Sequence, residues 1–160
     1  MTLQTAVFAA GCFWGVQAFF DDMAGVKATR VGYTGGHTEH PGYEEVCSGR
    51  TGHAEALEIT YDGDILDYKI LLDAFFKLHD PTQLNRQGPD IGTQYRSAIF
   101  VADAEQCSSA ETFINQLTSA KRFNRPVVTT IEPLNIFWTA EDYHQKYLER
   151  RGLASCHINS

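Results

Sequence analysis

Thr5-Ala6-Val7-Phe8-Ala9-Ala10-Gly11-Cys12-Phe13-Trp14-Gly15-Val16-Gln17-Ala18-Phe19-Phe20 is the stretch on which the fold turns. The apolar run from Thr5 to Ala9 suits a buried strand. Beyond Gly11 the apolar residues fall at Val16, Phe19, Phe20 and Met23, the spacing of one helix face, and Gly25 predicts the stop. A strand that hands over so abruptly to a helix puts Cys12 at the helix N-terminus. Free backbone N–H groups and the positive end of the helix dipole there favour a thiolate, lowering a cysteine from about 8.5 toward neutrality. Gly11 permits the tight turn, and Phe13 and Trp14 set two aromatic rings beside the sulfur, an apolar pocket for a small hydrophobic group. A lone cysteine among apolar neighbours is more often a small buried residue, so a second reactive group is needed before Cys12 reads as a nucleophile.

Working outward, a second strand is expected within Val26 to Tyr33, followed by a long loop, rich in Gly, His and Glu, from Gly35 to His53. Ala54 to Tyr61 alternates as a strand, and a helix from about Asp67 to Leu78 carries Leu71, Phe75 and Leu78 on one side. A further long loop, Thr82 to Tyr95, leads to a strand at Ser97 to Val101, a helix capped near Asp103 and a strand at Val127 to Glu132. Thr139 reads as the cap of a last short helix. The order β-α-β-β-α-β, then α-β-α, resembles a ferredoxin-like split βαβ unit with additions, which predicts an α/β (α+β) two-layer sandwich. At 160 residues and 43% hydrophobic content, one catalytic domain spanning residues 1–160 is expected, with a mobile C-terminal tail from about residue 150.

The second group is on the Ala54 to Tyr61 strand. Alternation puts Glu55 on the same face as Leu57, Ile59 and Tyr61, while Glu58 falls with Ala56 and Thr60 on the other. A carboxyl desolvated on the core side has a raised pKa and can stay protonated, ready to donate a hydrogen bond or act as a general acid. The competing reading is a wet strand edge with an ordinary ion pair, and spacing alone leaves the two even.

A formal charge of −7 argues against nucleic acid, which calls for clustered Lys and Arg. No apolar run approaches the roughly 20 residues of a membrane helix. The small residues Ala9-Ala10-Gly11 preceding Cys12 lack the positive and long apolar regions of a cleaved leader, so a cytoplasmic protein is expected. Four cysteines, at 12, 47, 107 and 156, are too sparse for a disulfide framework and read as thiols in a reducing compartment.

The ordered series Gly11-Cys12-Phe13-Trp14-Gly15, Gly32-Tyr33-Thr34-Gly35-Gly36-His37, Tyr43-Glu44-Glu45-Val46-Cys47, Gly52-His53-Ala54-Glu55, His79-Asp80-Pro81-Thr82, Asn85-Arg86-Gln87-Gly88, Asp90 through Ser97 and Glu141-Asp142-Tyr143-His144-Gln145 resembles the A-class peptide methionine sulfoxide reductases, which act on the S epimer of the sulfoxide. The resemblance covers almost the whole chain. It implies that Cys12 attacks the sulfoxide sulfur while Glu55, Tyr43 and Tyr95 hydrogen-bond and protonate its oxygen. Phe13 and Trp14 would hold the methyl group, Asp90 would help fix site and substrate, and His53 would support Glu55 from behind. Cys12 would become a sulfenic acid, which condenses with a second thiol. Cys156-His157-Ile158 is similar to the tail of members that recycle through a C-terminal thiol, implying a Cys12–Cys156 disulfide reduced by thioredoxin or another dithiol. Cys47 stands where the family commonly has a cysteine that is not the nucleophile, and Cys107 shares a helical face with Ala110, Ile114 and Leu117. No cofactor or metal is implied, and a monomer is the default. Gly15, Gly42 and Thr139 depart from residues common in relatives.

Two other readings compete. His37, His40, Cys47 and His53 could form a metal site in one loop, though at no compact zinc spacing. Cys12 with a distant His144 could form a thiol hydrolase, with His144 placed on a surface helix.

Overall fold

The structure, a computed structural model, describes residues 1–152. Its elements are β1 (Leu3–Ala10), α1 (Phe13–Asp21), β2 (Val26–Thr34), α2 (Tyr43–Cys47), β3 (Ala54–Asp62), α3 (Tyr68–Leu78), β4 (Arg86–Gln87), β5 (Asp90–Ile91), β6 (Ser97–Val101), α4 (Ala104–Ser119), β7 (Thr130–Pro133), β8 (Trp138–Thr139) and α5 (Tyr147–Arg150), with single 3₁₀ turns at Thr93–Tyr95 and Asp142–His144. Arg150, near which the mobile tail was expected to begin, ends α5, and Cys156 with the rest of that tail lies outside the described residues.

Six strands form one sheet in the order β7-β6-β1-β3-β2-β8. The four central strands are mutually antiparallel, with β1 between β3 and β6 and β3 between β1 and β2. This is the split βαβ arrangement that the order of elements predicts: α1 carries the chain from β1 past β3 to β2. The additions extend both edges, β7 pairing parallel to β6 and β8 antiparallel to the end of β2.

Alternation along the strands sorts the two faces. Ala6, Phe8, Val31, Tyr33, Leu57, Ile59, Tyr61 and Ile99 meet Phe13, Val16 and Phe20 of α1, Leu71, Leu72 and Phe75 of α3, and Ala110 and Leu117 of α4 in the main core. Phe8 lies 4.9 Å from Phe75 and 6.0 Å from Phe20, tying both helices to the central strand. Each large apolar side chain fully buried there contributes about 1.5–3 kcal/mol. Asp103 accepts a hydrogen bond from the Gln106 N–H, so the predicted cap closes its helix, and Asp67, expected near the start of its helix, caps it in the same way through the Ile70 N–H.

The opposite face is lined with small residues, Ala9, Ala54, Ala56 and Ala98, with Val7 and Phe100. It is covered by the segment that runs from β7 at one edge to β8 at the other, through Leu134 and Phe137. Gly32 belongs to this crossing: a Cβ there would collide with the Trp138 carbonyl and the Phe137 ring.

Several elements differ from expectation. The first helix ends at Asp21, and Met23 falls in the turn that follows, its N–H bonding back to the Phe20 carbonyl. The Gly35 to His53 segment holds the five-residue α2, too short to show a period. The Thr82 to Tyr95 segment holds the β4–β5 hairpin and a 3₁₀ turn. The seventh strand starts at Thr130, because Val128 N–H is bonded to the Pro81 carbonyl instead. Thr139 is a strand residue opposite Gly32 and caps no helix.

Gly32→Ala is expected to destabilise the protein by about 1–3 kcal/mol, as overpacking does, read as a fall in the urea midpoint at unchanged slope. An unchanged midpoint would mean that the 134–137 crossing is not packed tightly on β2.

Candidate active site

β1 and β2 end, and β3 and β6 begin, at one end of the sheet, since Ala10 lies opposite Ser97 and Thr34 opposite Ala54. The loops that meet there carry the predicted residues. Gly11 takes a left-handed φ of 90°, which turns the chain from strand to helix within one residue. Cys12 follows as the N-cap of α1, half-buried, with its carbonyl already accepting from Val16.

Glu55 lies on the core face of β3 and is 2% exposed, which decides for the buried carboxyl between two readings that alternation left even. Its Oε1 accepts a hydrogen bond of 3.2 Å from the Phe13 N–H, the first free donor of α1 and the residue next to Cys12. Burial pushes the carboxyl up to about 8, the Phe13 bond working against this and the negative charge of Asp90 adding to it. At neutral pH the group is therefore mostly protonated. Its Oε2 is buried with no hydrogen-bond partner among the described residues, a cost unless something else bonds it.

Tyr43 opens α2 and Cys47 closes it, one helical turn apart, and their side chains hydrogen-bond. Tyr95, at the end of its 3₁₀ turn, reaches the same sulfur and lies close enough to feel the charges of Glu55, Asp90 and Cys12. Burial raises the pKa of both tyrosines, so they remain hydrogen-bond donors at any working pH. Burial also pushes the Cys47 thiol up, against the lowering effect of the two tyrosines. Cys47 thus sits among the predicted site residues, and as a thiol that resists ionisation. Asp90, on β5, is half-buried and acts on Glu55 through its charge.

His53 does not support Glu55 by direct contact. Its Nδ1 accepts from the Gly36 N–H at 3.0 Å and its Nε2–H donates to the Thr38 carbonyl at 2.8 Å, so it pins the 35–53 segment to the start of β3. With both ring nitrogens engaged, it is also a poor candidate for the loop metal site. Among the described residues no group of three or more His, Cys, Asp or Glu is placed to hold a metal ion.

The last element of the site comes from residues 141–147, where sequence reading gave a role only to His144, as partner of Cys12 in the hydrolase reading. One Glu141 oxygen accepts from the Tyr33 hydroxyl and the other from the Tyr43 N–H, each at 3.0 Å. Tyr33 stands opposite Glu55 in the sheet, so this carboxylate ties the start of α2 to the strands beneath. His144 is 1% exposed and so is not on a surface helix. Its Nδ1 accepts from the Trp14 indole N–H at 3.0 Å, and its ring packs 5.2 Å from Phe13 and 4.5 Å from Tyr43. A lone pair spent on indole is not a base for the Cys12 thiol, which removes the geometry a hydrolase dyad needs. The signal for this segment was present in the Glu141-Asp142-Tyr143-His144-Gln145 run, but periodicity reads no contact from it.

Arg96 completes the frame. It is paired with Glu132 through two 3.1 Å contacts and donates to the Gly52 and Thr93 carbonyls, joining the approach to Glu55 with the turn that carries Tyr95.

Residues 4–160 match the family model of peptide methionine sulfoxide reductase. The peptide methionine sulfoxide reductase MsrA of Acidobacterium capsulatum is 57% identical over 156 residues, covering 98% of this chain and all of the relative. Among solved structures, reduced Mxr1 from Saccharomyces cerevisiae superposes with a TM-score of 0.90 at 31% identity, over 97% of this chain and 89% of that one. Mxr1 in complex with Trx2 gives 0.65 at 22% identity, over 91% and 84%. Matched in sequence over nearly its whole length, and placing a thiol at a helix N-cap beside a protonated carboxyl, the chain belongs to the peptide methionine sulfoxide reductase family, thiol-dependent oxidoreductases that reduce methionine sulfoxide.

Proposed function

We propose that this chain, as one catalytic domain, reduces the S epimer of methionine sulfoxide, free or in proteins, with Cys12 as nucleophile and Glu55 as proton donor. The observation that carries the reading is the Glu55 carboxyl, protonated by burial and held against the Phe13 N–H one residue from Cys12.

A sulfoxide sulfur is a poor electrophile until its oxygen is protonated, so thiolate and acid must act on the same molecule. The helix N-cap favours the Cys12 thiolate. The orphaned Glu55 Oε2 and the hydroxyls of Tyr43 and Tyr95 are the donors for the sulfoxide oxygen, and Asp90 keeps the Glu55 proton in place through its charge. Phe13 and Trp14 receive the methyl group, while His53 acts only by holding the loop. Attack joins the Cys12 sulfur to the sulfoxide sulfur as the oxygen takes the Glu55 proton; that S–S bond and the sulfoxide S–O bond then break as the hydroxyl passes to Cys12, so methionine leaves reduced by two electrons and Cys12 is left oxidised as a sulfenic acid. Cys156 then attacks that sulfur, releasing water and forming the Cys12–Cys156 disulfide. Two electrons from an external dithiol restore both thiols. Thioredoxin is the reductant proposed, in keeping with the solved complex of Mxr1 with Trx2. Repair of oxidised proteins by a cytoplasmic monomer is the setting this chemistry fits; no helix among the described residues is long and apolar enough to cross a membrane.

The first test is turnover of the separated S and R epimers of acetylated, amide-capped methionine sulfoxide with dithiothreitol. The S epimer alone should be consumed, and Cys12→Ser should abolish this. Reaction of neither epimer, with Cys12 still alkylating rapidly, would overturn the reading.

Because the Glu55 carboxyl is raised to about 8, its proton is present below that pH and lost above it. Activity should therefore fall as pH rises through about 8. Glu55→Gln should lose about 10²–10⁴-fold in kcat, the usual range for removing a general acid, and should lose that falling limb with it. A Glu55→Gln enzyme that keeps the limb would assign it to another group.

Peptide mapping after one equivalent of substrate should recover Cys12 joined to Cys156. Cys156→Ser should still release one methionine per chain and then stall. Recovery of Cys12 joined to Cys47 or Cys107 would replace Cys156 as the resolving thiol.

A further inference from the structure

The helix that carries Cys12 at its start holds, toward its far end, a polar cluster that the reaction above does not use. Asp21 is the last residue of α1, where the carbonyl end of the helix disfavours a negative charge. Lys146, the N-cap of α5, takes a left-handed φ of 57°, a conformation that a side chain of this kind adopts at a cost. These two irregularities meet: the Lys146 ammonium lies 2.7 Å from Asp21 Oδ2. The Thr29 hydroxyl donates to Asp21 and accepts from the Lys146 ammonium at 3.2 Å and from the Gln17 amide at 3.1 Å, so its proton and both lone pairs are spent. Gln17, almost completely buried, accepts from the Lys146 N–H at 2.7 Å.

The cluster roots α5 on α1. Leu148 is buried and the Tyr147 ring lies 3.8 Å from that of Trp14, so α5 sits beside the first turns of α1. The exit of α5 is as well defined as its start: the Arg151 guanidinium stands 4.3 Å over the Tyr147 ring, and Gly152, at a left-handed φ of 66°, donates to the Glu149 carbonyl at 3.1 Å. Cys156 is four residues beyond Gly152, a reach of at most about 14 Å. Gln17 is itself only about 7.5 Å of helix from Cys12.

We propose that the Asp21–Lys146 pair is a positioning device for the resolving step: it anchors the base of the C-terminal segment on the helix that carries Cys12, and so sets how fast Cys156 captures the sulfenic acid, without bearing on the reduction itself. The proposal rests on Cys156 being the resolving thiol, as inferred above. An intramolecular thiol attacks at a rate set by its effective concentration, which falls roughly as the −3/2 power of tether length. With α5 anchored the tether to Cys156 runs from Gly152, four residues; released at Lys146 it is ten residues long. The change corresponds to about fourfold in effective concentration.

The test is a competition. Dimedone reacts with a sulfenic acid by joining its ring carbon to the sulfur with loss of water, and mass spectrometry of the intact chain counts the adduct. The readout is the dimedone concentration that captures half of Cys12 after one equivalent of the capped S-sulfoxide, a partition that is independent of which step limits turnover. Asp21→Ala should lower that concentration by about two- to fourfold. Lys146→Met, which keeps the stem and loses the ammonium, should do the same, and the double variant should go no further than either alone, because both remove one contact. In a Cys156→Ser background, release of one methionine per chain and labelling of Cys12 should proceed at the same rates with and without Asp21→Ala. Thermal melts establish that both variants fold, and either one alone reads the partition.

A half-capture concentration unchanged in both variants overturns the anchor. A slowed release of methionine overturns it too, since the pair would then belong to the reducing site. Cys156→Ser separates this inference from the reading beneath it. If that substitution leaves the half-capture concentration where it was, Cys156 is not the resolving thiol and the anchor falls with it. If it lets dimedone take all of Cys12 while Asp21→Ala and Lys146→Met change nothing, the resolving thiol stands and the anchor alone is overturned.

Discussion

A carboxylic acid turned inward from β3 is the constraint around which the site is built. Glu55 shares a face with Leu57, Ile59 and Tyr61, and strand alternation gives it no other direction. A desolvated carboxylate there would be expensive, so the group keeps its proton and offers one oxygen to the Phe13 N–H. That donor is among those a helix start leaves free, and the residue before it is Cys12. The sulfur proposed as nucleophile thus caps the helix whose first N–H group bonds the carboxyl that retains its proton. The two tendencies coexist because the helix N-terminus acts on the sulfur and apolar surroundings act on the carboxyl.

The topology delivers these groups to one place. In a split βαβ sheet the ends of β1 and β2 and the beginnings of β3 and β6 lie side by side, so four loops distant in sequence converge. Rigidity comes from residues that do no chemistry. Arg96 joins the Gly52 and Thr93 carbonyls to Glu132, His53 clips the Gly36 to Thr38 turn to β3, and Glu141 bridges Tyr33 and Tyr43. Positioning of this kind is what the proposed convergence of two tyrosine hydroxyls and a carboxyl on one sulfoxide oxygen requires.

The two thiols in the described site are set apart by their surroundings and not by sequence. Cys12 caps a helix, whereas Cys47 ends one and is penalised by burial. A helix end offers carbonyl oxygens, which oppose a thiolate, and a helix start offers N–H groups, which support it.

Much of this was legible in the residues alone. The strand-to-helix handover at Gly11-Cys12, the strand face that Glu55 shares with Leu57 and Ile59, the cap at Asp103 and the β-α-β-β-α-β order all follow from local periodicity and capping, which depend on near neighbours in the chain. Three things were decided only by the tertiary structure. The short α2 and the β4–β5 hairpin have too few residues to show a period; they are held by contacts from outside, Glu141 accepting from the Tyr43 N–H at the start of α2, Gln94 donating to the Cys47 carbonyl at its end, and Gln87 of β4 bonding both backbone groups of Asp80. Thr139 became a strand residue because β2 had an unpaired edge, and the 134–137 segment crossed the sheet because that face is lined with alanines and Gly32. His144 moved from an expected surface helix into the core because the ring it serves, Trp14, lies 130 residues earlier. Local patterns record what a residue does with its neighbours along the chain, and these contacts are made with neighbours that only folding supplies.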